Sequence, residues 1–330
     1  MKFIFLIILI ISIFIIDINC LNKSISEKKY YFIKPNKDNL GNSINNSNSG
    51  YILNLINTQI DNTIQGEKTL ISNVEIPKKS KLNLSIITDL KNNKLEGSSQ
   101  EGQSFPTEFE SKVIVSGEFK DEDSKDFIVS DIYHLMGLKD TNTANPKTIK
   151  VKEYYYFMSP SPLICNSMIN CSNIIIDKVN SNEPFGFLEK FNEPYSKSMS
   201  LLDLNWFNSR LVTNDNNYNS IVKGYQYGSN ELIISKVYIN TLDPIDGCGT
   251  SSSSTSQQKQ PKCRFGKIAT YTRDLNRCPV FDKCVKKSPC HLGRPNCNQG
   301  YKLSSLPFGE KGCPKYYCDP EFLPITNKKF

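Results

Sequence analysis

The chain has 330 residues, with 40 Lys or Arg against 33 Asp or Glu, 11 cysteines and 2 histidines, for a formal charge of +7. That length is too great for one typical small domain and suits two or three. With so few histidines, little material remains for chemistry that needs an imidazole base.

In chain order, the first element is an export signal. Met1-Lys2 supplies a positive charge, and Phe3 to Ile16 follow with no charged residue and one polar one, Ser12. Such a run matches the apolar region of a signal peptide and is short for a membrane span, which needs roughly 20 apolar residues. Asp17 to Cys20 make the cleavage region, so residues 1–20 are expected to be removed and the mature chain to be secreted into the extracellular space. A lipoprotein reading through Cys20 finds poor neighbours in Asp17 and Asn19. Phe322 to Phe330 carry Lys328 and Lys329 and no long apolar tail, which argues against a lipid anchor. Without Cys20 the cysteines are even in number. Sequons at Asn22, Asn45, Asn83 and Asn170 fit the same compartment.

Next comes an internal repeat. Tyr30–Pro35 matches Tyr155–Pro160, Tyr51–Asn57 matches Ile174–Asn180, and Ile87–Leu90 matches Leu201–Leu204. Ile114–Gly117 then matches Ile221–Gly224, and Phe127–Tyr133 matches Leu232–Tyr238. The offsets fall steadily through 125, 123, 114, 107 and 105, so the order is kept while the loops shorten. The unit is too long for a solenoid, whose periods run roughly 20–50 residues. Two tandem domains follow, over residues 21–148 and 149–243. The blocks are short, rich in Tyr, Phe, Ile and Val, and bounded by turn formers, so they read as strands. Lys120 to Lys125 and Tyr227 to Asn230 read as hairpin turns. One short helix is expected near Leu202 to Phe207. Each copy is therefore a mostly β barrel or sandwich.

In the second copy, Tyr155-Tyr-Phe-x-x-Pro160, Cys165 and Cys171, Leu202–Trp206, Val222-x-Gly224 and Leu232–Tyr238 follow in an order that resembles an uncharacterised secreted-protein domain family, best represented in bacterial exported proteins. The likeness covers about residues 152–240, and the first copy is a degenerate version without the cysteines. It implies an exported domain and no particular activity.

Residues 244–262 change character and read as a Ser/Gln-rich linker. A basic cysteine-rich module, expected to be irregular, occupies residues 263–330. Cys248, Cys263, Cys278, Cys284, Cys290, Cys297, Cys313 and Cys318 are eight, enough for four bridges in 105 pairings. Cys165 with Cys171 is then a local bridge by parity. Disulfides would have to hold a segment so poor in apolar clusters. The competing zinc reading wants closely spaced cysteine pairs, and the closest here is Cys313-x4-Cys318, with His291 nearby. Residues 261–330 hold fourteen Lys or Arg and five Asp or Glu, a net of +9. That charge suits an anionic glycan or a cell-surface glycoprotein, held by Lys283, Lys286, Lys287 and Arg294; the plainer alternative is a solvated surface. Nucleic acid is not expected of an exported chain without a recognised nucleic-acid module. The run Cys297 to Cys318 is loosely similar to antistasin-type inhibitor modules, so a secreted protease inhibitor is the alternative function.

Catalysis finds little support. His134 ends a predicted strand and faces Ile239 in the repeat alignment, so the duplication does not keep it. His291 lies within the cysteine framework. No nucleophile elbow, zincin motif or phosphate loop occurs. Asp89 and Asp203 fall at matching repeat positions, but one acid per copy is not a glycosidase pair, and an Asp at a helix start is commonly a cap. Neither a cofactor nor a metal is expected, and the protein reads as a non-enzymatic binding or structural protein of the cell surface or matrix. Tyr154 to Phe157, Trp206, Tyr225 and Tyr227 are candidates to stack on sugars, although Trp206, beside Leu204, reads as core. Strand alternation would leave one ring of each Tyr-Tyr pair facing outward.

Overall fold

A computed structural model describes residues 28–36, 50–57, 68–92, 111–138, 151–162, 172–213, 219–242, 248 and 263–324, apart from positions 79, 122, 185 and 292. The signal segment, Asn22, Asn45, Asn170, Cys165, Cys171 and all of the linker except Cys248 lie outside the described residues.

The fold is mostly β. Copy 1 runs β1 (Lys29–Pro35), β2 (Tyr51–Leu55), β3 (Lys68–Ile71), β4 (Asn73–Glu75), helix α1 (Ser85–Asn92), β5 (Val113–Phe119) and β6 (Asp126–Leu135). Copy 2 repeats this as β7 (Tyr154–Pro160), β8 (Ile174–Lys178), β9 (Gly186–Leu188) and β10 (Lys190–Asn192). A turn of helix, α2 (Tyr195–Ser198), then α3 (Leu204–Leu211), β11 (Ser220–Tyr227) and β12 (Glu231–Asn240) complete it. Four of the five repeated blocks fall on equivalent strands. The third does not: it falls on helix α1 in copy 1 and on the approach to α3 in copy 2. Asp89 therefore sits inside α1, whereas Asp203 is the N-cap of α3, its carboxylate accepting from the Trp206 N–H. The helix expected near Leu202 to Phe207 is α3, whereas the sequence of α1 reads as a strand, because a short amphipathic helix and a short strand carry similar runs of apolar residues.

The two copies do not stand apart. They form one 12-stranded sheet in the order β3-β2-β1-β5-β6-β12-β11-β7-β8-β9, with β4 parallel to the start of β6 and β10 parallel to the start of β12. That order reads the same from either end once equivalent strands are exchanged. At its centre β6 and β12 pair antiparallel, Tyr238 against Leu135, Ile239 against His134 and Asn240 against Tyr133. With equivalent residues 105 apart, the His134–Ile239 pair lies on a pseudo-two-fold axis. Each copy also carries the same β-bulge, at Ser116/Gly117 and at Lys223/Gly224. A Cβ at either glycine would lie 2.1 or 2.2 Å from the carbonyl oxygen of Ile128 or Ile233, so only glycine lets the strands close at the bulge.

Three apolar cores result. One lies under α1 and is built from Ile33, Leu53, Ile71, Ile87, Val115 and Phe127 with their neighbours. A second lies under α3 around Trp206, Phe207, Leu232 and Val237. The third sits between the copies and consists of equivalent pairs: Tyr30 and Tyr155, Phe32 and Phe157, Ile56 and Val179, Ile114 and Ile221, Tyr133 and Tyr238. Its rings meet edge to face, Tyr30 on Phe157 at 4.9 Å and Phe32 on Tyr155 at 5.3 Å. These two contacts exchange with one another under the repeat, as do Tyr30–Tyr133 and Tyr155–Tyr238, as in a symmetric homodimer. This corrects the expectation that one ring of each Tyr-Tyr pair faces outward. Tyr30, Tyr31, Tyr155 and Tyr156 are all buried, because the other copy covers the face that solvent would otherwise hold.

A reciprocal polar clamp reinforces that core. Asn57 and Asn180 each follow a strand with φ of 59° and 56°, the left-handed region that asparagine tolerates better than most residues. The Asn57 amide donates to Tyr155 O (2.7 Å) and Val179 O (2.9 Å) and accepts from Tyr155 N (2.9 Å). The Asn180 amide donates to Tyr30 O (2.7 Å) and Ile56 O (3.1 Å) and accepts from Tyr30 N (2.9 Å). Backbone groups at the seam thus find partners that no strand supplies.

Candidate binding site

The cysteine-rich tail is framed by two hairpins, β13 (Lys267–Arg273) with β14 (Pro279–Lys286) and β15 (Tyr301–Phe308) with β16 (Cys313–Pro320). Its eight cysteines pair among themselves as Cys248–Cys278, Cys263–Cys284, Cys290–Cys313 and Cys297–Cys318. The thiolates that the zinc reading needs are spent in these bridges. Among the described residues no group of three or more His, Cys, Asp and Glu could hold a metal ion.

The tail docks on copy 2 and on the end of copy 1. Tyr301, Cys318 and Leu323 complete the core under α3. Cys318 N donates to Leu201 O (2.9 Å), and the Tyr301 hydroxyl donates to Gly137 O (2.8 Å). Arg210 of α3 donates to Leu275 O (2.9 Å) and to the Asn276 side chain (2.7 Å). A buried ionic cluster sits at the seam. Arg273 grips Asp319 with two bonds of 2.7 and 2.8 Å and stacks 4.0 Å from the Tyr317 ring centre. It also stands 3.8 Å from Asp203, the cap of α3. Burial alone would raise the Asp319 carboxyl, but the Arg273 bonds, Ser304 and nearby Arg277 hold it below the ordinary carboxylate value. Arg277 is buried and lies 5.3 Å from the Trp206 ring centre. Its left-handed backbone (φ 62°) is set by Asp274, whose carboxylate accepts from the N–H groups of Asn276 and Cys278.

The sequence-predicted cations are spread over this module. Lys286 and Lys287 are exposed at the end of β14, and Lys267 lies directly across from Lys286. Lys283, three residues earlier, lies at the bulge of this strand pair and stands 3.9 Å from Glu310. Arg294 is exposed on the segment between Cys290 and Cys297. Arg264, also exposed, heads a turn closed by Lys267 N donating to Arg264 O (3.0 Å), with Gly266 in the left-handed region. Lys267 belongs with Lys286, and only the cross-strand register reveals it.

The remaining candidates resolve individually. Asn83 is exposed at the start of α1, where its side chain accepts from Ser85 N. His134 packs against Phe322, ring centres 4.3 Å apart, and burial depresses its basicity. His291 is exposed. Trp206 and Tyr155 to Phe157 are core, and Tyr154 lies under the Lys178 ammonium at 3.9 Å. Tyr225 is half-buried and Tyr227 exposed, at the end of β11.

Sequence reasoning missed one feature. A groove of about 650 Å3 runs between Ser200–Asn205, at the start of α3, and Phe308 with Cys313–Tyr317 of the tail. Its only sequence signal is the Lys315-Tyr-Tyr317 triplet, which looks like ordinary strand until docking on copy 2 gives it an opposite wall.

Over 204 residues, 62% of the chain, the sequence is 32% identical to an uncharacterized protein of Dictyostelium discoideum. The matched stretch spans 64% of that protein's length, a little under two thirds. No family model matches the chain, and no solved structure matches it.

Proposed function

We propose that the chain is an exported, non-enzymatic binding protein of the cell surface or extracellular matrix, whose basic module holds an anionic glycan. Four disulfides in one short module support an oxidising destination. The observation that carries the ligand reading is Lys267 directly opposite Lys286 on an exposed strand pair. Like charges placed across a strand pair work against the hairpin. A bound polyanion turns that repulsion into attraction.

The test is retention of the purified secreted protein on an immobilised sulfated polysaccharide. Reversing Lys267, Lys286 and Lys287 to Glu is expected to abolish retention at physiological salt, while near-ultraviolet circular dichroism stays that of the wild type. Unchanged retention of the triple variant would remove the proposal. Intact mass of the same material, before and after reduction, is expected to show a start near Leu21 and no free thiol.

A further inference from the structure

The groove between α3 and the tail has a chemistry of its own. The Lys315 ammonium lies 4.8 Å from the Phe308 ring centre and 5.3 Å from that of Tyr317. Among the described residues no carboxylate pairs with it. The one acid on the walls, Asp203, is buried and turned toward Arg273. The mouth therefore carries an uncompensated positive charge above exposed apolar surface, with Phe308 39% and Leu204 40% exposed.

The backbone of β16 adds a polar rim. Cys318 N–H points away from β15, since it donates to Leu201 O. In an antiparallel ladder outward-pointing groups recur at every second residue. Tyr316 therefore presents its N–H and C=O to the same side, into the groove. The volume of about 650 Å3 falls in the range of small-molecule sites.

We propose that this groove is the subsite for a single acidic sugar residue of the bound glycan. The anionic group, carboxylate or sulfate, sits on Lys315. The apolar sugar face lies on Phe308, and its hydroxyls bond the Tyr316 backbone and the Asn205 amide. A ring with one apolar face and one anion matches a cation fixed beside an aromatic ring better than either a neutral sugar or a fatty chain does. The inference rests on the glycan reading above and deepens it. The strand-end lysines supply long-range attraction, and the groove selects which sugar is held.

Titration of the full-length secreted protein by calorimetry tests it, with four probes: a uronate-ended unsulfated disaccharide, a sulfated uronate-free disaccharide, their neutral counterpart and an acidic hexapeptide. One or both acidic disaccharides are expected to bind, and which one identifies the anion. Lys315→Ala and Phe308→Ala are each expected to weaken that binding about tenfold, the loss of one charged or stacking contact. Lys315→Arg should restore it, and all three variants should melt as the wild type does. Lys267→Glu/Lys286→Glu should lose the polysaccharide column and keep the disaccharide. If the disaccharide affinity ignores Lys315 and Phe308 while the column still depends on Lys267 and Lys286, the groove inference is overturned and the glycan reading survives. If the wild type binds no acidic saccharide of any length, both fall. Binding of the hexapeptide alone, with the same dependence on Lys315, would overturn the sugar assignment in favour of a peptide.

Discussion

Copy 1 and copy 2 share strands, bulge and asparagine clamp, yet the tail completes the core under α3 and leaves the core under α1 untouched. The difference follows the surfaces. On the face that meets the other copy, Tyr30, Phe32 and Tyr133 recur as Tyr155, Phe157 and Tyr238, because a change there must be accommodated by both halves. Away from that face the copies diverge. Lys28 pairs with Asp131 in copy 1, whereas in copy 2 its counterpart Glu153 pairs with Lys223, which stands where copy 1 has Ser116. The salt bridge is kept with its polarity reversed. On the axis itself, Ile239 packs in the core under α3 while His134 stacks on Phe322 of the tail. Symmetry holds where two copies meet and lapses where a third body docks.

The sharpest way to break this comparison is through the central rings. Phe32→Ala and Phe157→Ala should each cost about 3–5 kcal/mol in urea unfolding. The two values should agree closely, since each ring plays the same part on opposite sides of the axis. A cost confined to one copy would show that the symmetry is only one of shape.

The clamps come next. Asn57→Ala or Asn180→Ala removes three hydrogen bonds across the seam and forces alanine into the left-handed region. About 3 kcal/mol is expected from either, measured by the same unfolding curve. Glycine at either position should recover the part due to backbone strain and leave the part due to the amide.

Acid should separate the tail from copy 1. Asp319 is held below its ordinary value in the folded protein, so its contribution is complete above the ordinary carboxylate range. That contribution is lost as pH falls through the folded value, below about pH 4. Hydrogen exchange in β15, β16 and α3 should therefore quicken in this window before exchange in β1, β2 and β5 does. Asp319→Asn should produce the same loosening at neutral pH.

The smallest effect expected is at the axis. His134 is half-buried and its basicity is depressed, so the unfolded chain takes up a proton first. Stability should fall as pH drops below about 6.5. His134→Ile, which makes the axis pair identical, should flatten that stretch of the pH curve and change neutral-pH stability by about 1 kcal/mol or less.

Much of this architecture could be read from the chain, and what could not has a common cause. Short blocks of Tyr, Phe, Ile and Val between turn formers located the strands, and the falling offsets identified the duplication. The repeat even ended its second block on Asn57 and Asn180. Their role stayed hidden because the partners of each amide lie 98 to 150 residues away and belong to the other copy. The same distance hid the second buried face of the Tyr-Tyr-Phe strands. In the tail, cysteine parity gave the number of bridges. The pairing of Lys267 with Lys286, and the wall that makes a groove of Lys315, Tyr316 and Phe308, depend on register and docking, which no local pattern encodes.

The exchanged contacts between the copies have a consequence for how the chain is made. A symmetric interface does not distinguish a partner on its own chain from the same partner on another. Copy 1 of one molecule can therefore close on copy 2 of a second with every ring and amide contact intact, giving a domain-swapped dimer. Only effective concentration separates the outcomes: tethering favours self-closure in dilute solution, and crowding during refolding favours exchange. Dilution at the moment of refolding is thus the condition that selects the monomer, since the four bridges lie within the tail and tie neither copy to the other.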